Sequence, residues 1–406
     1  MGSRNKMLAA LLGLSLFTTG CWDREELNDR AIVLGWGLDL QEDGTYLGTA
    51  NIVLPKGAKA GGGAQAGGEQ GGSNSFMTES ATGRNNNDVA QNMQKKLSRT
   101  IFPGHRRNIF IGEKLAWHGI AGVLDEYSRN PTVRPRTNIF VVQGGTAQQV
   151  MSLGYQLETN PAVAVQKTQE KMGAPVARSL IDFYMMANGP GCPVVPTLRI
   201  VQPEKKVKTE SKDDSPPKPT LEHAGVSVFD KNFRLKGYLG PKEYWIRLWL
   251  VDKLKRRVVT GLVDEETNNF TITMDKFKRK IKSEIKGDKI SFDVSLVGMG
   301  TLNENNSILD LSRQQNISKA ERIVEKELLQ QIEPVVSKVQ QDFKCDVFEF
   351  GDTLHRQHPR KWKEIEARWE ELFPKAEVKL SVKINITDTG STDKSLLPKK
   401  MEGPEQ

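Results

Sequence analysis

Apolar residues along this chain recur with two different periods, and the periods mark out its elements. The run Ala31-Ile-Val-Leu-Gly-Trp-Gly-Leu-Asp-Leu40 reads as a strand. Glu42-Asp43-Gly44 supplies a turn, and Thr45 to Leu54 pairs back as a hairpin that Pro55 ends. From Asp88, the apolar positions Val89, Met93 and Leu97 recur every four residues and predict an amphipathic helix. Strands at Asn108–Gly112 and Thr137–Gln143 then alternate with helices through Ile120, Leu124 and Tyr127 and around Thr146–Leu153. Such alternation predicts a mixed α/β layer structure. Residues 161–200 mix helical turns with the break Gly189-Pro190-Gly191, and the pattern leaves their detail open.

Beyond residue 220 the pattern changes. Ala224–Phe229 and Arg234–Leu239 read as a strand pair, followed by a helix carrying Tyr244, Trp245, Leu248 and Trp249. Phe270–Ile285 and Lys289–Leu302 flank Lys286-Gly287-Asp288 as a long hairpin. A helix over 318–343 follows, with Ser318 and Glu321 forming a capping box and Pro334 bending or locally breaking it. Asp346–Phe350 is predicted as a strand and Arg360–Leu372 as a second helix. Val378, Leu380, Val382, Ile384 and Ile386 alternate along a final strand, facing the 318–343 helix.

Two stretches interrupt these patterns. Residues 57–75 hold eight Gly and four Ala with no large apolar side chain, which predicts a flexible, protease-sensitive loop. No Gly-Lys-Ser/Thr ends that loop, so it is not read as a phosphate cradle. Residues 202–220 hold four prolines and nine charges and read as a linker or long loop. The expected division is therefore a leader over 1–20, an N-terminal mixed α/β domain over 21–201, the linker, a mainly strand middle domain over 221–310, and a C-terminal α/β domain over 311–406. The fold class is α+β or mixed α/β, in about three small domains of mixed sheets packed with helices.

The chain has 406 residues with a net charge of +8, 27% charged and 37% hydrophobic side chains. This balance excludes a polytopic membrane protein and a wholly disordered chain. The modest, spread basic excess fits a surface near anionic lipid or wall polymer better than a nucleic-acid groove, so no nucleic-acid partner is expected. At the N-terminus, Arg4 and Lys6 precede the uncharged run Met7–Phe17. Those residues span about 16 Å as a helix, half the roughly 30 Å of a bilayer core, and predict an export signal rather than a membrane span. Thr18-Thr19-Gly20-Cys21 then resembles a bacterial lipobox, although Thr18 stands where Leu is usual. That resemblance implies an S-diacylglycerol and N-palmitoyl group on Cys21, the new N-terminus, and two chains anchor stably where one does not. Trp22 is placed to sit at the lipid interface, and the other tryptophans are assigned to the core.

Candidate chemistry is sparse. His355 and His358, with Asp352 nearby, have spacing for two metal ligands but no evident third, so packing or capping roles are expected and no metal or cofactor is assigned. Cys192 and Cys345 fall in different expected domains and read as separate buried thiols, leaving no disulfide framework. On the long hairpin, Lys276, Lys278, Arg279, Lys280, Lys282, Lys286 and Lys289 face only Asp275, Glu284 and Asp288. A solvated face that protects a sheet edge is the expected role, with a membrane-surface contact as the alternative. Gly-x-Ser-x-Gly, His-Glu-x-x-His and Cys-x-x-Cys are missing from the sequence, and no catalytic residue is assigned.

Several segments, taken in order, resemble one family. Cys21-Trp-Asp-Arg-Glu-Glu-Leu-Asn28 is similar to the mature start of the Ger(x)C family, the lipoprotein C subunits of spore germinant receptors. Gly112-Glu-Lys-Leu-Ala-Trp-His-Gly-Ile120 and Arg129-Asn-Pro131 to Arg134 resemble its first domain. Ala224–Phe229 with Leu235–Leu239 resembles its middle region. Gln340 to Phe350, with Gly351, His355, Pro359, Lys361, Trp362, Trp369 and Phe373-Pro374, resembles its C-terminal signature. The resemblance implies a non-enzymatic receptor subunit, tethered through Cys21 to the outer face of the spore inner membrane, that acts with an A subunit and an integral-membrane B subunit. A solute-binding lipoprotein of a transporter is the alternative and should show two similar lobes. A cell-wall hydrolase would need a paired-carboxylate or metal site.

Overall fold

In the computed structural model, residues 26–54, 76–153, 160–171, 179–202, 219–264 and 267–389 are described. Cys21, Trp22, the predicted loop 57–75 and residues 203–218 of the predicted linker 202–220 lie outside them. The chain runs β1 (Arg30–Leu40), β2 (Tyr46–Val53), β3 (Phe76–Gly83), α1 (Asn86–Gln94), β4 (Thr100–Phe102), β5 (Asn108–Gly112), α2 (Glu113–His118), α3 (Ala121–Arg129), β6 (Asn138–Gln143), α4 (Ala147–Ser152), α5 (Pro161–Lys171), α6 (Leu180–Asn188) and β7 (Val194–Val201). Next come β8 (Thr220–Phe229), β9 (Leu235–Leu239), α7 (Pro241–Leu250), β10 (Arg257–Leu262), β11 (Asn269–Lys286) and β12 (Lys289–Asn305). The last elements are α8 (Gln314–Lys338), a π turn (Val339–Phe343), α9 (Phe350–Gln357), α10 (Pro359–Ile365), α11 (Trp369–Leu372) and β13 (Glu377–Asp388).

Nine strands form one mixed sheet in the order β3-β2-β1-β5-β6-β7-β8-β9, with β4 pairing β1 alongside. Strands β1, β5, β6 and β7 are parallel neighbours; antiparallel strands flank them on both sides. Helices cover both faces at the centre. Ile109, Ile111, Ile139 and Val141 face α1, α2, α3 and α6, while Phe110, Phe140 and Val142 face α4 and α5. Burial on both sides is why β5 and β6 read as continuous apolar runs.

The second sheet has four strands in the order β10-β11-β12-β13. Its long hairpin turns at Gly287, whose φ of 60° a side chain would disfavour. Helix α8 and the short helices behind it cross over and return as β13, parallel to β12. One face carries Phe270, Ile272, Phe292, Val294 and Ile384 against Leu328, Ile332, Trp249 and Trp369; the other carries mostly polar side chains, with Val258, Leu262, Val297 and Met299 among them. Carboxylates from α8 close both edges of this sheet. Glu325 and Glu321 accept from the β13 amides of Ile384 (3.0 Å) and Ile386 (2.9 Å), and Glu327 accepts from Leu262 of β10 at 2.9 Å.

The sequence reading needs correction at several points. Cys192 and Cys345 are disulfide-bonded across 153 residues, with Cα atoms 5.7 Å apart. They meet because Cys192 sits just before β7 and its amide donates to Asp346 O at 2.7 Å. The expected boundary at 202–220 falls between β7 and β8, which are hydrogen-bonded neighbours, so the first sheet runs on to Leu239. Helix α8 begins at Gln314 rather than Ser318, because buried Leu309 and Leu311 fix the chain before it; Glu321 is committed to β13 rather than to a cap. Its helical backbone continues through Pro334 to Lys338. Residues 346–349 are not a strand: the Asp346 carboxylate accepts from Phe348 N (2.9 Å) and Gly351 N (2.7 Å) and folds the segment into a turn. The predicted helix 360–372 is two short helices joined by a 3-10 turn. Trp117 is 49% exposed rather than in the core.

Candidate functional surfaces

Three places gather polar or charged groups. The first is a groove of about 500 Å³ where the β3–α1 connection meets α3. Asn86 is its buried floor: its carbonyl takes the Trp36 indole N–H at 2.9 Å, and its amide donates to Glu126 at 2.7 Å. Asn130 donates to the other Glu126 oxygen at 2.8 Å, so that carboxylate is held from both sides. Arg84 and Arg129 on the walls pair with Asp88 and Asp125. A second hollow of about 440 Å³ adjoins it, sharing Tyr46 and Gly122 and reaching His118 and Arg234. With its charges already engaged, this groove is fitted to recognise a polar group or chain segment rather than to transfer protons. The sequence reading passed over it; the run Asn85-Asn86-Asn87 before a helix was the available signal, since amides there cap and bridge.

The second place is the junction of the two sheets. Arg247 of α7 is buried, with Nε and Nη1 lacking hydrogen-bond partners. Desolvation pushes its pKa down, and the charges of Glu349 and Asp346 oppose that push. Arg279 of β11 donates to Phe348 O at 3.5 Å and to Leu250 O. Burial raises Glu349, and Arg247 and Arg279 pull it back. Glu349 adopts a left-handed φ of 62° at this point. The disulfide and this charge cluster lie within a few residues of each other, so covalent and electrostatic ties coincide. Lys338 adds another tie, pairing with Glu243 at 2.7 Å.

His355 and His358, which have spacing for two metal ligands, each make a contact of another kind. The His355 ring stacks on Trp362 with centroids 6.0 Å apart, and a His358 ring nitrogen lies 2.9 Å from Ser283 O. Among the described residues, no group of three His, Cys, Asp or Glu side chains is arranged to hold a metal. Burial raises the pKa of Asp352, while Arg356 and His355 lower it. The third gathering is the outward face of the four-stranded sheet, where Lys276, Lys278, Lys280 and Lys282 are exposed. Among the described residues, no helix is long and apolar enough to cross a membrane.

Comparison with known proteins matches the chain along its length. A family model described as the spore germination protein N-terminal domain matches residues 23–200, and one described as spore germination B3/GerAC-like, C-terminal, matches 224–390. Spore germination protein KC of Bacillus subtilis (strain 168) is 26% identical over 396 residues, covering 95% of this chain and 96% of that protein. Spore germination protein B3 of the same strain is 24% identical, covering 92% and 95%. The crystal structure of the GerBC protein superposes with a TM-score of 0.56 over 90% of this chain and 100% of that one, at 20% identity, which shows a shared fold.

Proposed function

We propose that this chain, which belongs to the GerAC-like family of spore germination proteins, works as a non-enzymatic, lipid-anchored subunit of a nutrient germinant receptor. The observation that carries this reading is the match to both family regions, in order, with relatives covered almost end to end. In this reading Cys21 bears the diacylglycerol and N-palmitoyl groups, and the folded part stands on the outer face of the spore inner membrane. Its partners are the receptor's A and B membrane subunits. The first sheet is tied to the C-terminal part by the Cys192–Cys345 bond and by Lys338 of α8, which donates to Tyr238 O of β9 at 3.1 Å, and this suits a part that transmits contacts rather than one that turns over a substrate. A disulfide also fits a chain exported out of the reducing cytosol. A transporter's solute-binding lipoprotein is disfavoured, since the two sheets are not similar lobes around one cleft.

The test is made on native spore membranes. Mass spectrometry of the N-terminal peptide should find a diacylglyceryl adduct on Cys21, and affinity capture should bring down the A and B subunits. Cys21→Ala spores should lose nutrient-triggered germination yet respond to triggers that bypass the receptor. An unmodified Cys21 in a soluble, partnerless protein would overturn the reading.

A further inference from the structure

The sequence pattern predicts that the lysines of the long hairpin guard a sheet edge. The structure gives that task to other side chains. Beyond its pairing with β10, the free edge of β11 is closed by Gln357, which accepts from Ser283 N (2.9 Å) and donates to Ile281 O (2.7 Å), and by Lys361, which donates to Ile285 O at 3.1 Å. The α8 carboxylates close β10 and β13. Lys276, Lys278, Lys280 and Lys282 instead stand on the sheet's broad outer face, alternating with inward Phe277, Arg279 and Ile281.

These four have no acidic partner among the described residues. Residues two apart on a strand lie about 7 Å from each other, within a Debye length of about 8 Å, so their charges repel. Two strands away, Lys379 and Lys383 of β13 point the same way; Lys379 makes an exposed pair with Glu377, and Lys383 pairs with the half-buried Glu325. Asp293 of β12 lies within the patch, in register between Lys282 and Lys379, and Glu284 and Glu377 stand at its end on the same face, paired with Lys286 and Lys379. A shallow hollow of about 340 Å³ lies among Lys280, Lys282, Lys379, Ser295 and Ser381. At the β10 end, the same face exposes Val258 (53%) and Leu262 (43%).

We propose that this outer face is a membrane-contact surface that lies against anionic lipid headgroups, independently of any lipid on Cys21. Three features favour a bilayer over an acidic protein. The cations at the centre of the face are lysines, compact point charges on flexible stems, which suit mobile headgroups better than the planar fork arginine offers a fixed carboxylate. They form a broad field with only a shallow hollow rather than a groove. Beside them, Val258 and Leu262 are apolar groups exposed toward the same side, the composition of an interfacial surface. The face deepens the proposed function by giving the anchored subunit an orientation, with the four-stranded sheet against the membrane.

The experiment uses the mature chain from residue 21 with Cys21→Ser, so that no acyl chain contributes. It is compared with two variants, Lys276→Gln/Lys278→Gln/Lys280→Gln/Lys282→Gln and a control changing the exposed helical lysines Lys242, Lys319, Lys326 and Lys363 to Gln. Cosedimentation is measured with phosphatidylcholine vesicles with and without about 30% phosphatidylglycerol. The parent should bind the anionic vesicles and release at about 0.5 M salt, where screening is nearly complete. At about fivefold per lysine, the face variant should bind at least a hundredfold more weakly at an unchanged melting temperature, and the control within about threefold of the parent. Equal binding by the two variants overturns the proposal, as does binding that ignores lipid charge. So does a parent that leaves vesicles alone while these four lysines govern capture of an acidic receptor subunit. None of these outcomes bears on lipidation of Cys21, which is read separately by mass spectrometry.

Discussion

The nine-stranded sheet is covered on both faces and the four-stranded sheet on one, and most other differences between them follow. In the large sheet, neighbouring residues such as Ile109 and Phe110 enter opposite cores, so the stretches Ile109–Ile111 and Ile139–Val142 are apolar throughout. In the small sheet, alternate residues meet solvent, and β11 and β13 read apolar-in, lysine-out. The large sheet needs parallel strands brought together by crossovers, whereas most of the small one is a meander whose hairpin partners are close in sequence. A two-sided core is a scaffold. A one-sided sheet leaves a face that function can use.

The largest expected effect lies in the small sheet. Leu328 is fully buried between α8 and that sheet, and nothing on the solvent side can collapse to fill its place. Leu328→Ala should cost about 3–5 kcal/mol, read by denaturant unfolding. An unchanged midpoint would mean that α8 is not the lid of that core.

Next in size is the covalent tie. Replacing Cys192 and Cys345 together with Ala should cost about 2–4 kcal/mol. Calorimetry should also show one transition becoming two if the disulfide couples the sheets. A single sharp transition in the double variant would mean that shared packing, such as Val226 and Val228 against the C-terminal core, couples them unaided.

Acid should affect the large sheet first. His223 of β8 is pushed down to about 4 by burial, partly offset by a hydrogen bond involving Val165. The unfolded chain, with histidine near its usual 6.5, takes up the proton sooner, so stability falls as pH drops from about 6.5 to about 4. The loss should reach about 2–3 kcal/mol. His223→Gln should flatten that part of the pH profile, and an unaltered slope would assign it elsewhere.

The smallest effect concerns the sheet edges. Glu321→Ala and Glu325→Ala should each cost about 1 kcal/mol by freeing the β13 amides of Ile386 and Ile384. Faster amide exchange at those two residues, without change in the nine-stranded sheet, is the expected signature.

Periodicity placed β5, β6, α3, the long hairpin and β13 close to where they stand, because each is decided by neighbours a few residues away. It failed where a side-chain hydrogen bond or a buried anchor overrode the apolar pattern. Asp346 turned a would-be strand by accepting its own backbone amides, and buried Leu309 and Leu311 moved the start of α8 upstream. The groove built on Asn86, Glu126 and Asn130 shows in the sequence only as an asparagine run before a helix, because Asn86 and Glu126 meet across 40 residues.

By itself, the sequence determined the strand and helix periods, the missing hydrolase and redox motifs, the lipobox-like Cys21 and the resemblance to one family. These rest on neighbours in the chain or on order along it. Tertiary structure alone decided that β8 and β9 join the first sheet, that Cys192 reaches Cys345 across 153 residues, and that the hairpin lysines form a face rather than an edge guard. Each depends on which backbone hydrogen bonds are already taken. That becomes known only when every strand has its neighbour and the side chains of α8, α9 and α10 have claimed the edges that remain.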